Sequence, residues 1–114
     1  MPYLLDSIDS ATVYKRPKQS GPKIVDHWGI VVHNKSGSYL VHDMPETGTV
    51  ATPIENMSNN WKPAYDLPVK GDKNIHGMFK STGLAAYLPQ CFAKYMLQGT
   101  CILSTKGMAA YLVN

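Results

Sequence analysis

From His27 to Met44 the chain alternates between positions of opposite character at a period of two. The pattern appears first in His27-Trp28-Gly29-Ile30-Val31-Val32 and again in Tyr39-Leu40-Val41-His42-Asp43-Met44. Successive residues of a strand face opposite sides of a sheet, so runs of this kind, rich in Val, Ile and aromatics, predict two strands. The tetrapeptide Asn34-Lys35-Ser36-Gly37 between them is a turn signal, and the unit reads as a β-hairpin. With strands 27–33 and 38–44 closed over that loop, position 33 faces 38, 29 faces 42 and 27 faces 44. His27 and His42 then share one face as a diagonal pair, roughly 5–8 Å apart at Cβ. Gly29, opposite His42, leaves the space between the two imidazoles open.

The rest of the chain is read the same way. Ala11-Thr12-Val13-Tyr14 predicts a short strand ended by Lys15-Arg16-Pro17, and Gln19-Ser20-Gly21-Pro22 is a loop leading to the hairpin. Residues 46–60 read mostly as loop, with a brief strand at Val50-Ala51-Thr52. Trp61 to Val69 contains Pro63 and Pro68, which places any strand there at a sheet edge. Gly71-Asp72-Lys73-Asn74 is a turn, and residues 75–87 stay open between helix and strand because Gly77 and Gly83 weaken both. Leu88, Phe92, Tyr95 and Met96 recur at helical spacing, with Pro89 in the first turn and Gly99 as the stop, so 88–99 predicts a short helix. Cys101 to Val113 reads as a strand followed by a short helix around Gly107-Met108-Ala109-Ala110. The expected fold is a single α+β domain over residues 1–114, in which a small antiparallel sheet carrying both histidines packs against a helix bearing Cys91 near its N-terminus.

That placement gives Cys91 chemical interest. In the first turn of a helix, unpaired N–H groups and the macrodipole favour negative charge and lower a thiol's pKa, and a nearby histidine lowers it further. Cys–His chemistry needs a thiolate nucleophile, an imidazole to exchange its proton, and a group that orients the imidazole. The Cys91 backbone N–H is an oxyanion donor at such a helix start, and the Gln90 side chain is a candidate second donor.

His-Trp-Gly-Ile on one strand, Tyr-Leu-Val-His on the next and a Cys opening a helix together resemble the circularly permuted NlpC-like branch of the papain-like proteins. That branch includes the lecithin:retinol acyltransferase-like phospholipid acyltransferases and the picornavirus 2A proteins with an H-box/NC signature. The resemblance spans residues from about 10 to 100, although its specific part is about twenty positions. It implies that His27 is the general base, His42 the orienting residue and Cys91 the nucleophile. The cysteine segment departs from the pattern: Gln90 stands where the family usually has Asn, and the next aromatic is Phe92 instead of a residue three positions on. Two function classes follow. One is a thiol-dependent hydrolase or acyltransferase acting through an acyl-thioester on an ester or amide, with a phospholipid or a peptide as acyl donor. The other, after the 2A proteins, is a non-catalytic interaction protein that keeps the fold and binds host or viral partners.

Plainer readings stand beside these. A histidine on an apolar strand is often a satisfied structural residue, and a free cysteine is often a small buried hydrophobe, Cys101 more so than Cys91. His33 and His76 have no site-like context and are expected to be solvated. His27, His42 and Cys91 are zinc-ligand types, but no closely spaced ligand pair accompanies them, so neither a metal nor another cofactor is expected. The 44% hydrophobic content, with Trp28 and Trp61, argues for a folded chain. The net charge of +3 is concentrated at Lys15, Arg16, Lys18 and Lys23, a segment that reads as a solvated loop or as a contact for an anionic membrane surface. No aromatic ladder or basic helix makes the chain specific for nucleic acid. Two cysteines do not form a disulfide framework, Met1–Asp6 is no signal peptide, and no apolar run is long enough to span a bilayer, so a cytoplasmic location is expected.

Overall fold

The hairpin forms in the register that the alternation predicts. Strand β2 (His27–Asn34) pairs antiparallel with β3 (Gly37–Met44), placing Ile30 opposite Val41 and His33 opposite Ser38. The loop is tighter than the tetrapeptide suggested, because Asn34 and Gly37 themselves join the ladder. Asn34 Oδ1 accepts hydrogen bonds from the backbone N–H groups of Ser36 (2.9 Å) and Gly37 (3.1 Å), and Gly37 supplies a φ of 148° that other residues rarely adopt. The computed structural model describes residues 2–16, 27–44, 47–86 and 102–114.

Three further strands complete an antiparallel sheet of order β4-β3-β2-β1-β5, with β1 at Ser10–Arg16, β4 at Gly48–Pro53 and β5 at Lys62–Leu67. Strand β5 lies at an edge, as Pro63 requires, and its register with β1 shifts between Val13 and Tyr14. Strand β1 runs two residues beyond the predicted Ala11–Tyr14: Lys15 and Arg16 pair with Trp28 and His27. Strand β4 is longer than the predicted 50–52, because Thr49 to Pro53 all find partners along β3.

Helices α1 (Pro2–Leu5), α2 (Ile75–Ala86) and α3 (Ile102–Val113) contribute to one core on one face of the sheet. The ambiguous segment is helical over Ile75–Ala86. Asn74 caps it, its Oδ1 accepting from the Gly77 N–H at 2.8 Å, and Ile75, Met78 and Thr82 form its buried stripe. The strand predicted at the start of the 101–113 segment does not form; α3 is continuous from Ile102. The pair Ile102-Leu103 mimics a strand only when read alone, whereas Thr105, Met108 and Leu112 bury one helical face. Gly77 and Gly107 serve the contact between α2 and α3. A Cβ on Gly77 would lie 1.9 Å from Tyr111 Oη, and one on Gly107 2.9 Å from Ser81 O.

Alternation divides the sheet's two faces. Val13, Ile30, Val32 and Val41 join the helices in the main core, while Val31, Leu40 and Trp61 form a second cluster on the opposite face. The α+β architecture is therefore the one expected. The helix predicted over 88–99, with Gln90 and Cys91, lies outside the described residues, as do Lys18 and the loop at 19–22. Among the described residues, no helix is long and apolar enough to cross a membrane.

Candidate active site

His27 and His42 both occupy the sheet face turned away from α2 and α3, on the parity of Val31 and Leu40. Continuing the β2–β3 register sets Gly29 opposite His42. A Cβ at Gly29 would fall 2.9 Å from Leu40 Cδ1 and 3.0 Å from His42 Cβ, closer than side chains tolerate. The glycine is thus a spatial requirement of the His42 position. Both imidazoles are buried, His27 at 8% exposure and His42 at 7%.

Two residues from other strands complete the surroundings. Trp61 sits edge-on to His42, with ring centroids 5.4 Å apart and planes at 74°. Arg16, the cross-strand partner of His27, lays its guanidinium over the Trp61 ring at 5.1 Å from the centroid. Burial lowers the His42 pKa to about 4, and the positive charges of Arg16 and His27 act in the same direction, against a smaller opposing pull from Asp43. His42 is therefore a neutral imidazole at neutral pH. Its Nδ1, like Arg16 Nε, is buried with no hydrogen-bond partner among the described residues.

An open cleft of about 430 Å³ lies over these groups, with Arg16, His42 and Trp61 on one side and Met44, Val50 and Met57 among its apolar walls. A smaller cavity of about 110 Å³ lies on the helical face between Val13, Trp28, Tyr65 and α3. It is separated from the histidines by the sheet, and its described wall holds no imidazole.

Asp43 follows His42 in sequence but faces the helices. It is buried, accepts a hydrogen bond from the Thr49 hydroxyl, and is linked through it to Thr82, 3.0 Å from Thr49. It cannot orient either imidazole by a hydrogen bond from that side. His33 is half-buried, with Nδ1 2.5 Å from Ser38 Oγ, so it is tied to the neighbouring strand where solvation was expected; His76 is exposed. Among the described residues no group of three or more His, Cys, Asp or Glu could hold a metal ion.

The structure thus brings His27 and His42 together, while Cys91 and its candidate helper Gln90 lie outside the described residues. Lys15 and Arg16 do not form one basic patch: Lys15 projects to the helical face, its ammonium 5.8 Å from the Trp28 ring, and Arg16 projects to the histidine face. The sequence reading missed Arg16 and Trp61 as site residues. The signal for Arg16 was its even spacing from Thr12 and Tyr14, masked by the charged run before Pro17. Trp61 had no such signal, because its contact with His42 depends on the path of the chain between β4 and β5. No protein-family model, curated protein or solved structure matches the chain.

Proposed function

We propose that this chain is a thiol-dependent hydrolase or acyltransferase acting through Cys91, His27 and His42, as the resemblance to the permuted NlpC-like, papain-like proteins implies. The observation that carries this reading is the pair of imidazoles on one sheet face, with Leu40 and His42 packed closely against Gly29, beside a cleft that His42 lines and that is large enough for a small substrate. In this reading His27 accepts the proton of the Cys91 thiol, and the sulfur attacks the carbonyl carbon of an ester or amide. The tetrahedral oxyanion collapses with loss of the alcohol or amine, which takes its proton from His27. Water or a second acceptor then attacks the thioester, His27 takes the proton of that nucleophile, and the Cys91 thiol is regenerated. The Cys91 backbone N–H and the Gln90 side chain are the oxyanion donors. His42, with a pKa near 4, is too weak a base to carry protons at neutral pH, which supports the orienting role for it.

The test is turnover of a p-nitrophenyl ester and of a short-chain phospholipid, with the intact mass of the protein followed for an acyl adduct. Turnover and an adduct on Cys91 are expected. Cys91→Ala and His27→Ala should abolish both, and His42→Ala should weaken them less, since an orienting residue acts through the base. Absence of turnover and of any adduct in the unaltered chain overturns the enzymatic reading.

One observation favours a second reading. Both imidazoles are less than a tenth exposed, and Trp61 packs against His42, so the face is built as firmly as a core. An interaction protein that holds host or viral partners against this face would need that rigidity and no thiol chemistry. It would bind such partners unchanged after Cys91→Ala.

A further inference from the structure

We infer that the cleft beside His42 is a binding site for a small organic anion, with the Arg16 guanidinium as the contact for its carboxylate or phosphate oxygens and the surface of Met44, Val50 and Met57 as the seat of its apolar body. The site does not depend on Cys91, so the inference goes beyond the proposed reaction.

Among the described residues, Arg16 is a cation without an acid. The acidic residue nearest to it in the sheet on the same face, Asp66, is held by the Thr12 hydroxyl at 2.8 Å near the other end of β1. Asp43 faces the helices, and no carboxylate belongs to the described wall of the cleft. Arg16 instead rests on the Trp61 ring. The N–H donors lie in the plane of the guanidinium, so a ring contact on its face leaves them available. One of them, Nε–H, is already removed from water and has no partner among the described residues. The guanidinium fork is shaped to make two parallel bonds to an oxyanion, and Arg16 lines the cleft.

His42 points to the same ligand. It is nine-tenths buried, lines the cleft, and its Nδ1 also lacks a partner among the described residues. Its neutral imidazole adds a polar group to the cleft wall. The hydroxyls of Thr47, Thr52 and Ser58 add polar sites at the cleft wall. Apart from Asn56, the remaining described wall is apolar, which suits an organic anion better than a bare inorganic one. At about 430 Å³ the cleft falls in the range of small-molecule sites.

The test is an NMR titration of the full ¹⁵N-labelled chain with hexanoate, hexyl phosphate, hexanol and inorganic phosphate, following the Arg16 Nε–H and the Trp61 and Trp28 indole signals. Hexanoate or hexyl phosphate should shift the Arg16 and Trp61 signals and leave Trp28, on the other face, in place. The tighter of the two identifies the headgroup as carboxylate or phosphate. Hexanol and inorganic phosphate should each bind at least tenfold more weakly than that anion. Arg16→Met, which keeps an apolar stem on Trp61, should weaken anion binding at least tenfold, and Arg16→Lys should weaken it less; dispersed spectra establish that both variants are folded. Cys91→Ala should bind as the unaltered chain does. Binding without turnover would leave this inference standing while the enzymatic reading falls. The inference is overturned if neither organic anion binds, if Arg16→Met binds as tightly as the unaltered chain, if hexanol or inorganic phosphate binds as well as the organic anions, or if the shifts fall at Trp28.

Discussion

At His42, burial above all, then the charge of Arg16 and the coupling to His27, disfavour protonation, and the consequence is a stability that depends on pH. The folded pKa of about 4 lies below the ordinary value of 6.5. As pH falls from about 7 toward 4, the unfolded chain takes up a proton at this residue and the folded chain does not, so stability is complete above the unfolded pKa and is lost on acidification. A separation of this size corresponds to roughly 3 kcal/mol at the low end of that window. His42→Gln keeps a neutral polar side chain and removes the titration. The difference in unfolding free energy between the two proteins, measured by urea denaturation across pH 7 to 4, should shrink by that amount in favour of the variant; a constant difference would mean that His42 titrates alike in both states. Gly29 is tied to the same residue. Gly29→Ala puts a methyl group 3.0 Å from His42 Cβ and should destabilise the fold by about 1–3 kcal/mol. The same denaturation curves check it, together with displacement of the His42 ring signals. An unchanged midpoint and unchanged signals would show that the sheet has slack at this point.

The hairpin and the helix pair differ in how readily the sequence discloses them. The β2–β3 register was readable because a slip of one residue would move Val31, His27 and Gly29 to the face of Ile30 and Val32, and the turn Asn34–Gly37 pins the pairing. The site's second half was not. The charges of Lys15 and Arg16 look like the end of a strand, yet in the sheet the two point to opposite faces and each rests on a tryptophan. In α2 the glycines obscured the helical period, because Gly77 answers to a neighbouring helix and not to local propensity. That explanation has a direct check. Gly77→Ala should be favourable by up to about 1 kcal/mol from helix propensity alone, but the clash with Tyr111 should make it destabilising by about 1–3 kcal/mol. In a Tyr111→Ala background the same substitution should become neutral or stabilising, and a thermal-unfolding double-mutant cycle measures the coupling. Equal effects in both backgrounds would remove Tyr111 as the cause.

The molecule as a whole assigns different tasks to the two faces of one sheet. The helical face holds most of the core, with Ile30, Val32, Val41, Ile75, Met78, Met108 and Leu112 all out of solvent. The other face holds a smaller cluster around Trp61 and, beside it, the two histidines, Arg16 and the open cleft. His27 and His42, which would do the proposed chemistry, sit on strands whose positions the far core fixes. The proposed chemistry needs Cys91 to work with this face, and thiol reactivity tests that most directly. The rate of iodoacetamide labelling at each cysteine is measured against pH, in the unaltered chain and in His27→Ala. Cys91 should label with an apparent pKa well below the ordinary thiol value of about 8.5, that pKa should rise in His27→Ala, and Cys101 should stay inert. Slow and equal labelling of both cysteines, with a Cys91 pKa near 8.5 that His27→Ala does not move, would contradict it.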